Sequence, residues 1–500
     1  MTASAMKPLE WAAAAILALA LTVSYLAMLR PGLPWGGDTA LLIMHAKNMA
    51  EGKPYAKTPY VYDDEAWMEG GATFPPGLPL LLIPHFTGEP KEEIPFAAMR
   101  QQTAVMLAMG SLAVFFFLRR NLAFWSALVA TAVIGWNRFT LYFLQSIWSE
   151  EIYIPVSFLA FGVVYWIYQS RRDETNPIPW GLLAGALAVY SYLTRSIGIS
   201  VMVALVLTEL YRQRRVTKFL LAAGTAFVAI TLLSNWLTHS DTAYRSQFRL
   251  DPLLTVAHAR EYLIRSMEVW LGMPGGRYPR LAFWVVTSSL ALVGLVRRLR
   301  EHGPHLPEFY LCGYFGVLSV YWAANHRYLA PLLPVYVLYV FTALEWFWKS
   351  PKYGRRTAAA AVMALMLATG LLYWQSAPRT PIEDGVHTAN YRQMLSYIRN
   401  ETGAADRIAS DSARFLALLT GRPSIFYPME EASTSQIWQF FQRMEARYIL
   451  FTKHHADDQK YLGPLIAKHG AELELKLENS EYALYQLRAA PAGQGAGGRQ

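Results

Sequence analysis

Pro34-Trp35-Gly36-Gly37-Asp38-Thr39-Ala40, continued through Ala46-Lys47-Asn48-Met49-Ala50-Glu51-Gly52, follows directly on the first long apolar run of the chain. It sets a carboxylate just outside a predicted membrane helix, on a Gly-Gly turn whose backbone can approach another group closely. Taken alone, Asp38 reads equally well as the N-cap of a helix beginning near Thr39. Leu41 to Met49 has the pattern of an amphipathic helix lying along a membrane surface. The rest of the chain decides which side of the membrane Asp38 faces and what gathers around it.

Hydrophobic residues make up 54% of the 500 positions and charged residues only 16%, against about 25% charged in soluble globular proteins. A spanning helix needs about 20 mostly apolar residues, and such runs recur. Apolar length predicts about eleven spans, near 10–29, 96–118, 122–137, 151–169, 179–194, 197–211, 218–237, 281–296, 307–323, 328–347 and 357–374. The first, from Trp11 to Met28, is too long for a signal-peptide core and reads as a retained span. Phe74-Pro75-Pro76-Gly77-Leu78-Pro79 to Phe86 is too short to cross and reads as re-entrant or interfacial.

The net charge of +9 sits at the ends of apolar runs, not on an aromatic-interleaved basic surface, so nucleic acid is not an expected partner. The clusters Arg119-Arg120, Arg171-Arg172, Arg212 to Lys218, Arg297 to Arg300 and Lys349 to Arg356 all fall on one face of the eleven-span arrangement. The positive-inside rule makes that face cytoplasmic. The loops at 30–95, 138–150, 195–196, 238–280 and 324–327, and the tail after Trp374, are then extracytoplasmic. The lone Cys312 lies within an apolar run and reads as a small buried residue.

After about residue 380 the apolar runs shorten. Arg407 to Ser410, Tyr448 to Phe451 and Tyr482 to Leu487 read as strands. Tyr391 to Asn400, Trp438 to Ala446 and Tyr461 to His469 read as helices. The expected organisation is a transmembrane domain over 1–379, with its first extracytoplasmic loop at about 30–95. A small extracytoplasmic α/β domain follows over 380–488, and then a disordered Gly/Ala-rich tail over 489–500.

The extracytoplasmic loops collect the candidate site residues. Glu150 and Glu151 open the fourth span, where one carboxylate is accounted for by the helix dipole. Adjacent acids point in different directions around a helix, so the second is not; Glu150, directly after Ser149, is the preferred functional residue. Arg195 and Arg327 oppose the positive-inside trend, and a guanidinium fork suits phosphate oxygens, although each could also snorkel to headgroups. Asp63-Asp64-Glu65 is a candidate for a divalent cation.

These residues carry a resemblance. Gly36-Gly37-Asp38-Thr39-Ala40 with Asn48-Met49-Ala50-Glu51-Gly52 resembles the first-loop signature of GT-C glycosyltransferases of the protein-mannosyltransferase and aminoarabinose-transferase type. Phe74-Pro75-Pro76-Gly77-Leu78-Pro79-Leu80-Leu81, Ser149-Glu150, Leu193-Thr194-Arg195 and Arg327-Tyr328-Leu329-Ala330-Pro331 are similar to four further elements, in the family's order. Thr39 stands where the protein-mannosyltransferases carry glutamate.

The resemblance implies a GT-C fold and a polyprenyl-phosphate-linked monosaccharide donor. It further implies inverting transfer to a glycan, lipid or protein acceptor at the extracytoplasmic face of a bacterial plasma membrane. Asp38 would be the base, with Glu150 as the second catalytic acid. Arg195, Arg327, Tyr328, Glu151, Asn48 and His326 would bind substrate, with no metal ligand assigned. A transporter or flippase of a lipid-linked or anionic substrate is the alternative. Such proteins place their charges near the bilayer midplane on broken helices, whereas here the charges gather at one interface.

Overall fold

The computed structural model describes residues 7–63, 74–87, 93–169, 176–238, 251–321, 324–382, 385–429 and 432–488. Asp64, Glu65, Arg171, Arg172 and the tail from 489 lie outside the described residues, and so do the readings placed on them. The contacts divide the chain into two compact units. One takes the described residues up to 31, from 75 to 239 and from 244 to 381; the other takes those from 32 to 74 and from 382 onward.

The first unit is helical. Among the described residues, seven helices are long and apolar enough to cross a bilayer: Pro8–Met28, Phe96–Arg119, Glu150–Tyr168, Lys218–Thr238, Arg277–His302, His326–Trp348 and Tyr353–Ser376. The other four predicted spans also form helices, Phe124–Gly135, Pro177–Thr194, Ile199–Gln213 and Leu306–Val320. The shortest of these rises roughly 18 Å at 1.5 Å per residue, short of a hydrocarbon core about 30 Å thick.

The core is built of Leu, Val, Phe and Tyr from most of these helices, among them Phe115, Phe117, Phe158, Tyr310, Val337 and Phe341. The outer surface is apolar too. Leu221, Leu232, Leu233, Trp236 and Leu237 of Lys218–Thr238 and Ile16, Leu19 and Val23 of Pro8–Met28 are exposed. Apolar surface on that scale is tenable against lipid and not against water. Cys312, expected inside, is likewise exposed, because an apolar residue in such a helix is as much at home on the outer face as in the core.

The Pro-rich element forms the short helix Gly77–Leu82 and a 3-10 turn, Ile83–His85. It packs on the end of Pro177–Thr194. A Cβ on Gly77 would lie 2.6 Å from Thr194 Oγ1 and 2.7 Å from the Leu193 carbonyl oxygen, so only glycine allows this approach. Tyr190 Oη donates to the Gly77 carbonyl at 2.8 Å.

The second unit holds a mixed six-stranded sheet. Its strands are β1 (Tyr60–Val61), β2 (Arg407–Ala409), β3 (Ser424–Ile425), β4 (Ala446–Thr452), β5 (Leu473–Glu478) and β6 (Tyr482–Leu487), in the order β1-β3-β2-β4-β6-β5. The first four strands in that order are parallel, and β6 pairs antiparallel with both β4 and β5. The strand β1 comes from the stretch that the sequence reads as the first membrane loop, and it pairs with β3 through Tyr60↔Ser424 and Val61↔Ile425.

The helix Gly37–Ala50 belongs to this unit. Thr39 through Ala46 are all buried. A helix lying on a bilayer would keep one polar face exposed, so the expected surface helix is instead an enclosed one.

Candidate functional site

In the helical unit, the loop ends bring two arginines to one carboxylate. Glu150 begins its helix and its side chain is 1% exposed. Arg195 forms an ion pair with Glu150 Oε1, and Arg195 Nη1 also donates to Ser149 Oγ at 3.2 Å. Arg327 Nε lies 3.8 Å from the same Glu150 oxygen. Ser149 Oγ in turn donates to Glu150 Oε2 at 3.3 Å. A buried carboxylate without partners costs several kcal/mol; here two guanidinium groups offset that cost.

Local sequence explains both arginines. Arg195 is the C-cap of Pro177–Thr194 and is followed at once by the 3-10 turn Ser196–Gly198. A Cβ on Gly198 would lie 2.4 Å from the Ser191 carbonyl carbon, so the tight turn that presents Arg195 requires glycine there. Arg327 is set by Asn325, whose side chain caps the segment His326–Leu332 and accepts from Arg327 N at 3.0 Å. The Arg195 and Arg327 guanidinium carbons stand 5.3 and 5.5 Å from the Tyr328 ring centroid, and that of Arg327 stands 4.7 Å from the Trp148 centroid. Cation–π contact of this kind favours a fixed cation by about 0.5–2 kcal/mol.

The adjacent acids do point apart. Glu151 is also buried, but its Oε2 accepts from Trp148 N at 3.1 Å, and its electrostatic partner is Arg100. The structure therefore brings Arg195 and Arg327 to Glu150 and not to Glu151. Arg100, unnoticed in the sequence, is buried and donates to the Arg30 carbonyl at 2.7 Å. His326 Nδ1 lies 3.7 Å from Glu268 Oε2 and its ring stacks on Phe139.

In the second unit, Asp38 occupies the first turn of Gly37–Ala50. The N-cap is Gly36, and no side chain caps that end, so Asp38 is not the cap that one reading of the sequence allowed. Its Oδ1 accepts from Arg414 Nη1 at 3.3 Å. Arg414 is fully buried, and its guanidinium carbon lies 5.1, 5.6 and 5.9 Å from the rings of Tyr60, Phe74 and Phe426.

Two further residues hold the chain around Asp38's helix. His45 Nδ1 is 2.9 Å from the Tyr55 carbonyl, and Nε2 accepts from Phe74 N at 3.3 Å. These contacts assign the neutral Nδ1–H tautomer, and burial pushes the imidazole pKa down to about 4. Asn48 Nδ2 stands 3.2, 3.2 and 2.9 Å from the carbonyls of Pro54, Tyr55 and Lys57.

Of the acidic run proposed for a cation, Asp63 is described, and its Oδ1 accepts from Arg443 Nη2 at 3.2 Å. A different group has metal-ligand chemistry: Asp411, His455 and Asp458 offer ligand atoms within 4.8 Å of one another. Protein donors already engage them. His455 Nδ1 lies 3.0 Å from Asp411 Oδ2, Tyr427 Oη donates to Asp458 Oδ1, and Thr452 N donates to Asp458 Oδ2 at 2.6 Å. The hydrogen bond to Asp411 raises the His455 pKa to about 9, and burial raises that of Asp458 to about 7.

No protein-family model matches the sequence, and no curated protein matches it. Solved structures do match. The archaeal oligosaccharyltransferase AglB from Archaeoglobus fulgidus, in complex with an inhibitory peptide and a dolichol-phosphate, superposes with a TM-score of 0.61 at 11% identity. The match covers 94% of this chain and 73% of AglB. ArnT from Cupriavidus metallidurans bound to undecaprenyl phosphate gives 0.54 at 10% identity, over 96% of this chain and 98% of ArnT.

The fold is that of the GT-C glycosyltransferases. The arabinofuranosyltransferase AftD from mycobacteria adds a TM-score of 0.53 at 14% identity, over 98% of this chain and 40% of AftD. An A. fulgidus oligosaccharyltransferase in complex with Zn and sulfate matches at a TM-score of 0.60 and 13% identity. With this GT-C fold and its apolar helices, the chain is a multi-pass integral membrane protein.

Proposed function

We propose that this protein transfers a monosaccharide from a polyprenyl-phosphate donor to a hydroxyl acceptor, with inversion at the anomeric carbon. The single observation that carries the reading is the pair Arg195 and Arg327 gathered on one buried carboxylate, which sets two guanidinium groups side by side. Such a site suits a phosphate monoester leaving group. The solved GT-C structures holding dolichol-phosphate and undecaprenyl phosphate support it.

The chemistry balances. Asp38 takes the proton of the acceptor hydroxyl, and the oxygen attacks the anomeric carbon. The bond from that carbon to the phosphate oxygen breaks, and the electron pair leaves on the polyprenyl phosphate. The products are the inverted glycoside and the free lipid phosphate. General-base assistance of this kind is worth about 10²–10⁴-fold.

Glu150, expected as a second catalytic acid, serves in this reading to hold the two arginines side by side. Tyr328 fixes the planes of both, and His326 and Glu151 flank the donor site. Asn48 serves in this reading to pin the loop that follows its helix. The eleven-span arrangement, with the basic clusters cytoplasmic and both acid–arginine groups extracytoplasmic, is part of the proposal. So is the assignment of the first loop and residues 380–488 to that side.

The test is mass spectrometry of lipid-linked sugars in cells lacking the protein. One polyprenyl-phosphate sugar should accumulate, and the wild-type chain, but not Asp38→Asn, should clear it. Clearance by Asp38→Asn at the wild-type rate contradicts the role of Asp38. Vectorial movement of a lipid-linked sugar with no covalent product favours the transporter reading.

A further inference from the structure

Arg414 is fully buried, yet it belongs to Ala413–Thr420, a short helix in the C-terminal part of the chain. A desolvated guanidinium needs a carboxylate or dense hydrogen bonding to persist. Asp38, 376 positions earlier in the sequence, is an acid in contact with it, at 3.3 Å. Tyr60 and Phe74 from the first-loop segment and Phe426 after β3 wall in the guanidinium.

We propose that Arg414 is a positioning residue for the transfer: it fixes Asp38 in one rotamer, so that the base is aligned when the acceptor hydroxyl arrives. The inference rests on the reading of Asp38 as the base. Two effects of the guanidinium oppose each other. A neighbouring cation lowers carboxylate basicity, which slows proton abstraction. Fixing the oxygen in line raises the effective concentration of the base, and alignment effects are the larger of the two, since misplacement by about 1 Å can cost 10²-fold. The sign expected on removing Arg414 is therefore a loss of turnover.

The experiment uses the full-length protein in proteoliposomes, fed the polyprenyl-phosphate sugar that accumulates in cells lacking it, with release of polyprenyl phosphate as readout. Arg414→Gln is expected to lower kcat at least ~10-fold while the donor KM stays within about 2-fold. Arg414→Lys, which keeps the charge without the fork, is expected to fall between wild type and Arg414→Gln. In an Asp38→Asn background either substitution should cost nothing further, because Arg414 acts through Asp38.

An equal fractional loss in both backgrounds, or a change in KM with kcat intact, overturns the proposal. If Arg414→Gln fails to fold, the same cycle is read on Arg414→Lys, with the unfolding temperature as control. Wild-type turnover in Asp38→Asn instead defeats the base assignment itself, so the two failures are distinguishable.

Discussion

Two acid–arginine groups can be compared, one in each compact unit, and their burial is inverted. Around Glu150 the carboxylate is 1% exposed, while Arg195 and Arg327 are 15% and 16% exposed. At Asp38 the arginine is 0% exposed and the carboxylate 19%. In the proposed reading the buried partner of each group is the scaffold and the more accessible partner is the one that meets the substrate. The first group therefore presents cations, suited to a phosphate. The second presents a carboxylate, suited to a proton. In that reading the same ion-pair chemistry serves opposite roles according to which member is desolvated.

The largest effect expected from breaking this comparison is at the accessible anion. Asp38→Asn should lower kcat by ~10²–10⁴-fold, the usual contribution of a general base, with donor binding retained. Steady-state turnover with the accumulated donor checks it.

The next effect is at the accessible cations. Arg195→Met should raise the donor KM at least ~10-fold and, by stranding buried Glu150, destabilise the fold by about 3–5 kcal/mol. Adding Glu150→Gln to Arg195→Met should recover stability, read by thermal unfolding in detergent, without recovering donor affinity. Recovery of both would make Arg195 a purely structural counterion and sink its phosphate role. Gly198→Ala should act on the same arginine at one remove. Crowding the Ser191 backbone costs about 1–3 kcal/mol, and the displaced Arg195 should weaken donor binding by a smaller factor than Arg195→Met does.

The smallest effects concern pH and the second unit. His45, with its folded pKa lowered to about 4, contributes stability that is fully present above about 6.5 and lost as pH falls towards 4. His455, raised to about 9, has the opposite sign: its contribution is present below about 6.5 and lost as pH rises through 9. Asp458, also raised, binds its proton more tightly when folded, so stability falls from about pH 4 through 7. His45 and Asp458 oppose each other between about pH 4 and 6.5, so stability followed across pH 4–10 should change little on the acid side and fall on the alkaline side as His455 loses its proton. His455→Ala should flatten that alkaline fall.

Much of this was legible in sequence where local pattern and charge sufficed. Apolar length located the seven long apolar helices of the membrane unit and four shorter ones, but not Arg138–Phe143 or Pro252–Ser266, which lie in stretches read as loops. Glu150 stands out as an acid that opens an apolar span, and Arg195 and Arg327 because they oppose the positive-inside trend; the structure gathers the three. Three strands of the sheet, β2, β4 and β6, were read from short apolar runs. What escaped had no local signal. Arg414 is one of many tail charges until the fold carries it to Asp38. The two-residue strands β1 and β3 are too short to show a period, and β5, Leu473–Glu478, alternates with charges like a solvated segment. The helix Gly37–Ala50 was misplaced on the membrane surface because amphipathic spacing does not say what covers the polar face; here the protein does.

The most direct test of the inverted-burial account measures binding and turnover separately. Undecaprenyl phosphate binding and donor turnover are determined for wild type, Asp38→Asn and Arg327→Met. The account predicts that Asp38→Asn binds the lipid phosphate like wild type but turns over ~10²-fold or more slowly, and that Arg327→Met loses binding at least ~10-fold. Equal loss of binding in both variants, or unchanged binding in Arg327→Met, would contradict it.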